Sequence, residues 1–379
     1  MVLSPALRIA LALETSGGGS GRHVLDLASG LVTAGHHVHI FYSEGRAEPS
    51  FVEALGMTGA RFTAVPMSRS VGLGDFASAR LLQEALEADG PFDVVHGHSS
   101  KAGALVRLMP RRLGARIYTP HAFRTMDLTV SRPAAAVYGS IERILAKLRT
   151  EALIAVSKVE YDHATRLGVP QRVMTLVRNG IEPKAHLSRS ALRAELGCVE
   201  GAFLLGFVGR LTHQKAPERF IGVLELLLSQ GVDVAGVMLG DGDMAADVQA
   251  LIAQKGLAGR IRLHSRLAAR RYMSCLDLLV VTSRYEAMPY TFLEALEAGT
   301  PIISTSVGGV DETIIPGETG YVVPQHDAVA AIAAYVAQLQ GDRSQLAAMA
   351  GRCRAHASLF TVSGMTQETL QVYRGATGR

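Results

Sequence analysis

The stretch Ser283-Arg284-Tyr285-Glu286-Ala287-Met288-Pro289-Tyr290-Thr291-Phe292-Leu293-Glu294 places two carboxylates eight residues apart, bracketing a turn that runs into a helix. Backbone N–H groups at a helix start lack intrahelical partners and carry partial positive charge. Such a turn suits a phosphate, with Glu286 and Glu294 left to grip hydroxyl groups on either side of it. Upstream, Gly206-Phe207-Val208-Gly209-Arg210-Leu211-Thr212-His213-Gln214-Lys215 ends an apolar run and follows it with two cations. Arg210 and Lys215 could hold a departing diphosphate where no metal supplies the charge. Taken singly, each feature also fits surface charge around a turn.

A third element, Thr15-Ser16-Gly17-Gly18-Gly19-Ser20-Gly21-Arg22-His23, follows the apolar run at 8–13. Glycine lets backbone amides approach a phosphate closely, which makes Gly19, Ser20 and Gly21 candidates for a diphosphate contact. The spacing matches neither G-x-G-x-x-G nor the phosphate loop ending in Gly-Lys-Ser/Thr, and this disfavours a nicotinamide dehydrogenase. His96 and His98, separated by one residue, are expected on opposite faces of a strand with no carboxylate nearby, so a lining or structural role is assigned and no metal.

The chain has 379 residues, 48% hydrophobic and 19% charged, which excludes a largely disordered protein and fits two domains of about 180 residues each. Cys198, Cys275 and Cys353 lie far apart without a C-x-x-C pair and read as ordinary buried thiols of a reducing compartment. No basic leader precedes a long apolar run, and no window nears 18 apolar residues, so the expectation is a cytoplasmic protein with neither a signal peptide nor a span. Net charge is +4, yet residues 101–149 hold ten basic residues against two acidic ones. That excess suits anionic headgroups, a phosphate-bearing acceptor or nucleic acid, or it is simply an arginine-rich solvated face.

These candidates need a frame. Short apolar runs at 8–13, 38–42, 93–96, 116–119, 153–156 and 173–177 alternate with amphipathic segments such as 24–32, as a parallel sheet with crossover helices requires. The pattern breaks at 179–189 and restarts with runs at 203–208, 234–239, 261–264, 278–281, 301–304 and 320–323, followed by helices at 328–339, 343–357 and 362–373. The fold class is α/β, with two doubly wound sheets in tandem and a ligand outside the carboxyl ends of their strands, in the cleft between them.

Together with Val94-Val95-His96-Gly97-His98-Ser99-Ser100-Lys101-Ala102-Gly103, Tyr118-Thr119-Pro120-His121, Ile154-Ala155-Val156-Ser157 and Val177-Arg178-Asn179-Gly180-Ile181, these motifs resemble the family 4 retaining glycosyltransferases of GT-B fold over nearly the whole chain. The resemblance looks nearest to bacterial enzymes of exopolysaccharide or lipopolysaccharide assembly. It implies an acceptor-binding Rossmann-like domain at 1–182, a nucleotide-sugar-binding one at 183–358, and a last helix at 359–379 packing back on the first. It implies that Arg210 and Lys215 hold the donor diphosphate, that Glu286 binds the donor sugar and Glu294 the ribose, and that His121 approaches the sugar. Gly19 to Gly21 would lie near the pyrophosphate, main chain at Arg266 and Leu267 against the base, and Ala287, Met288, Tyr290 and Thr291 along the donor. His96, His98 and Lys101 are assigned to the acceptor.

The activity so implied is transfer of a hexose from a UDP- or GDP-linked donor to a saccharide or lipid-linked saccharide, with retention and without cofactor or metal. A membrane surface is a further expected partner and nucleic acid is not. Ala287 stands where glycine is more usual, so the identity of the sugar is not carried over. The alternatives are a nucleotide-sugar epimerase of the same architecture and a non-catalytic sugar-nucleotide-binding module.

Overall fold

In a computed structural model, residues 5–67, 72, 74–198, 201–265 and 267–378 are described. The chain forms two compact units, one comprising Met1–Ile181 with Thr361–Arg379 and the other Glu182–Phe360.

The first unit is built on seven strands, β1 (Arg8–Leu13), β2 (His37–Tyr42), β3 (Arg61–Ala64), β4 (Val94–His98), β5 (Ala115–Thr119), β6 (Ala152–Ala155) and β7 (Met174–Leu176), in the order β3-β2-β1-β4-β5-β6-β7. All neighbours are parallel. The central strands are buried almost throughout, and β1 and β6 read in sequence as nearly continuous apolar runs, whereas β4 and β5 also bury His96, His98, Arg116 and Thr119. β3 is the exception: Arg-Phe-Thr-Ala is an edge strand with no fully buried residue, and its sequence carries no run to betray it.

The return of the chain is closely fitted. The helix Val362–Thr377, capped by Thr361 Oγ1 accepting from Gly364 N–H at 3.0 Å, packs Val362, Met365, Leu370 and Tyr373 into the same core as β1 and the helix Gly19–Thr33. At Gly30 a methyl group would stand 2.1 Å from Thr366 Oγ1, so a small residue is what lets these two helices touch.

The second unit repeats the plan with β8 (Phe203–Val208), β9 (Val234–Leu239), β10 (Ile261–His264), β11 (Leu278–Val281), β12 (Ile302–Thr305) and β13 (Gly320–Val323), ordered β10-β9-β8-β11-β12-β13 and again parallel throughout. In each unit the strand order reverses between two central strands: β1 and β4 in the first, β8 and β11 in the second. Open α/β sheets bind ligands beyond the carboxyl ends of strands at such a reversal. Among the thiols Cys275 and Cys353 are buried, while Cys198 is only half-buried, a correction to the expectation of three buried ones.

Candidate functional site

At the reversal of the second unit, β8 ends in Val208 and delivers Gly209 and Arg210, while β11 ends in Val281 and delivers the loop 282–289. Arg210 is exposed, and Lys215 turns back so that its Nζ lies 2.6 Å from Glu286 Oε1. Gly209, at φ 144°, makes room: a methyl group there would stand 3.2 Å from Lys215 Cε. The structure therefore brings Lys215 and Glu286 together as one nearly buried ion pair, with side-chain exposures of 16% and 8%. Two charges taken out of water favour the arrangement only while each has its partner or a ligand of matching charge.

The loop is held by side chains from outside it that donate to its backbone carbonyls. Thr305 Oγ1 donates to Ser283 carbonyl at 2.6 Å, Gln325 Nε2 reaches the carbonyls of Ser283, Arg284 and Ser306 at 3.0–3.2 Å, and Gln214 Nε2 donates to Tyr285 carbonyl at 3.0 Å. Gly308 presses against it from beneath, where a methyl group would lie 2.2 Å from Ala287 carbonyl oxygen and 2.4 Å from that of Glu286. Pro289, at the N-cap of the helix Tyr290–Ala298, makes no side-chain cap bond, and amides at such a helix start suit an anion. Glu294 is half-buried on this helix, as is Thr291, whereas Ala287, Met288 and Tyr290 are buried. Leu267 is 37% exposed; Arg266 lies outside the described residues.

In the first unit, Gly18 at φ 71° leads into the helix Gly19–Thr33, which again has no side-chain cap. Gly19 is exposed, Ser20 donates to Thr15 carbonyl at 3.1 Å, and a methyl group on Gly21 would stand 1.9 Å from Ser16 carbonyl oxygen. Only glycine at position 21 allows the strand to turn so sharply into the helix.

The histidines form one cluster here. The expectation that His96 and His98 face opposite ways is wrong: residues two apart on a strand share a face, and their ring centroids are 4.0 Å apart. His96 is fully buried and both its ring nitrogens are engaged, by Tyr373 Oη at 2.7 Å and Thr119 Oγ1 at 2.8 Å, so its role is structural and not a direct contact with an acceptor. His98 Nδ1 lies 3.1 Å from His121 Nε2, and the His23 ring stands 4.6 Å from that of His121. Burial depresses the basicity of all four imidazoles, taking His23 down to about 4, with neighbouring rings adding to the effect on His96, His98 and His121. All four are neutral at pH 7. Lys101, also assigned to the acceptor, is ion-paired with Asp75.

His121 and Ala122 both occupy the left-handed region, at φ 53° and 79°. Non-glycine residues stay there only when their surroundings enforce it. The enforcer is Glu160, fully buried, whose two carboxylate oxygens accept from Ala122 N–H at 2.7 Å and Val156 N–H at 2.8 Å. Desolvation raises its pKa to about 7 despite those bonds. Sequence reasoning missed Glu160, Gln325 and Gly308, and it quoted Asn179 within a motif without a role, although its Oδ1 lies 2.9 Å from His23 Nδ1.

The basic excess at 101–149 also needs correction. Arg107 is buried against Glu142 at 2.8 Å, Arg111 and Arg116 share Glu151, Arg112 pairs with Glu87 and Arg124 with Asp127. Asp75, Glu87 and Glu151 lie outside the counted window, so the linear tally overstates the surface charge.

Two family models match in tandem: "Glycosyltransferase Family 4" over residues 17–185 and "Glycosyl transferases group 1" over residues 188–355. The chain is 27% identical to a D-inositol 3-phosphate glycosyltransferase of Xylanimonas cellulosilytica, covering 96% of this chain and 93% of that one. It is 28% identical to its counterpart from Catenulispora acidiphila, over 95% and 91%. Among solved structures, Anabaena HepE in complex with UDP and glucose superposes with a TM-score of 0.82 at 20% identity over 96% of this chain and 98% of that one. WaaG, a glycosyltransferase involved in lipopolysaccharide biosynthesis, does so at 0.75 and 19% over 96% and 99%. With two parallel Rossmann-like sheets and both family models in register along it, the chain belongs to the family 4 glycosyltransferases of GT-B fold.

Proposed function

We propose that the protein transfers a hexose, with retention, from a UDP- or GDP-linked donor to a saccharide or lipid-linked saccharide of the cell surface. The observation that carries the reading is the Lys215–Glu286 ion pair at the strand reversal of the second unit, where Arg210 follows β8 and a helix without a side-chain cap bond follows Pro289. In this reading Arg210, Lys215 and the amides after Pro289 hold the diphosphate. Glu286 accepts from hydroxyls of the sugar and Glu294 from the ribose, and His121 serves the sugar from the first unit. The bond from the anomeric carbon to the diphosphate oxygen breaks, its electron pair stays on the leaving phosphate, and that phosphate takes the proton of the attacking hydroxyl. A phosphorylated polyol is the second acceptor class, supported by the names of the relatives from Xylanimonas and Catenulispora.

Addition of UDP or GDP, but not ADP, should raise the melting temperature, since a ligand that binds only the folded state at a hundred times its Kd adds about 2.7 kcal/mol. Donor consumption should depend on added acceptor. Turnover of donor to a second sugar nucleotide without acceptor would instead establish an epimerase.

A membrane role has support beyond charge. No helix among the described residues is long and apolar enough to cross a membrane. On the helix Arg132–Leu148, however, Val137, Ile141, Ile144 and Leu148 are 40–72% exposed and form one stripe at helical spacing, with Arg143 and Lys147 beside it. An apolar stripe edged by cations suits the interface of an anionic bilayer. The protein should co-sediment with vesicles containing phosphatidylglycerol and not with pure phosphatidylcholine, and Ile144→Asp should abolish the binding. Equal behaviour toward both lipids would remove this docking surface.

A further inference from the structure

Three histidines from separate segments of the first unit converge on one point. His23 lies on the helix Gly19–Thr33, His98 ends β4, and His121 sits just past β5. Each offers one ring nitrogen, and the three nitrogens lie within 4.8 Å of one another. Around tetrahedral zinc, with Zn–N of about 2.0–2.1 Å, neighbouring nitrogens stand about 3.3 Å apart. His98 Nδ1 and His121 Nε2 are already 3.1 Å apart, so a small rotation of the rings completes the set.

The surroundings fit a metal better than a purely structural contact. Asn179 Oδ1, in bonding to His23 Nδ1 at 2.9 Å, requires the proton on that nitrogen and leaves the lone pair on Nε2. A second-shell oxygen of this kind orients most metal-bound imidazoles. His96, fixed by Tyr373 and Thr119 and packed against His98, holds that ring in place. A ligand set of nitrogen alone suits Zn²⁺, Co²⁺, Ni²⁺ or Cu²⁺ and does not suit Mg²⁺ or Ca²⁺.

We propose that the first unit binds one divalent transition-metal ion through His23, His98 and His121, leaving a fourth coordination position open. Binding does not depend on the sugar-transfer reading. If that reading holds, the ion occupies the residue assigned to the donor sugar and acts as an inhibitor.

The whole protein, stripped with chelator, should take up one Co²⁺ per chain with the visible bands of tetrahedral cobalt, and Zn²⁺ should displace it. His98→Gln and His121→Asn should each abolish the bands, and Asn179→Ala should weaken binding about tenfold to a hundredfold. His36→Gln, outside the cluster, should change nothing. Because the His121 ring is half-buried while His98 is fully buried, His121→Asn decides the matter if His98→Gln fails to fold. Absence of tetrahedral bands, or bands that survive in His121→Asn, would overturn the proposal.

Discussion

Lys215→Ala should lower kcat about a hundredfold to a thousandfold, the range found when one preorganised group is removed from charge that develops in a transition state. Lys215 is not a surface cation: its ammonium lies 2.6 Å from Glu286 at the strand reversal, held there by the chain geometry at Gly209. In the proposed reaction it meets the leaving diphosphate as the glycosidic bond breaks, so the loss should fall on kcat more than on KM. The substitution also leaves Glu286 largely buried without its cation. Removing one partner of a buried pair costs about 3–5 kcal/mol, less here to the extent that Lys215 is wetted. Urea unfolding beside initial rates separates the two effects, and the double variant Lys215→Ala/Glu286→Gln should recover stability without recovering turnover. An unchanged kcat in Lys215→Ala contradicts the assigned role.

The second large effect is loss of stability on mild acidification. In the unfolded chain His23, His96, His98 and His121 take up protons as pH falls through about 6.5, while in the folded protein burial defers His23 to about 4 and the others well below their usual value. Between those limits the unfolded state binds more protons, so acid favours unfolding; above about 6.5 both states are neutral and the contribution is constant. Each imidazole adds a slope of up to about 1.4 kcal/mol per pH unit. Glu160 acts in the opposite sense. Its pKa is raised from 4.5 to about 7, so across that window the folded state holds the extra proton and gains stability as pH falls. One carboxyl cannot offset four imidazoles, and the urea midpoint should drop steeply between pH 6.5 and 5. A midpoint that stays level across that window would show that the rings are solvated.

Much of the scaffold was legible because parallel strands covered on both faces have to be apolar throughout. β8, β9, β10, β11 and β13 begin and end where the apolar runs at 203–208, 234–239, 261–264, 278–281 and 320–323 do. β3 escaped because an edge strand needs no such run. The positions of Arg210, Lys215 and Glu286 beyond strand ends were readable from local pattern. What could not be read were contacts between distant residues: Glu160 holding the turn at Ala122, Gln325 holding the loop at Ser283, and Glu151 neutralising two arginines of the preceding strand region. The error over His96 and His98 was of another kind, a misapplied strand period, and correcting it is what reveals the histidine cluster.

The terminal helix Val362–Thr377 belongs to the first unit, although the whole second unit precedes it in the chain. Topologically the second unit is an insert within the first, and no single uninterrupted gene fragment encodes the first unit. A stop codon shortly after Phe360 would leave a complete second core but strip the first of Tyr373, the hydroxyl partner of His96, and uncover the apolar face that the helix closes. The earlier-made unit therefore cannot close its core until the whole second unit and the helix after it have been synthesised.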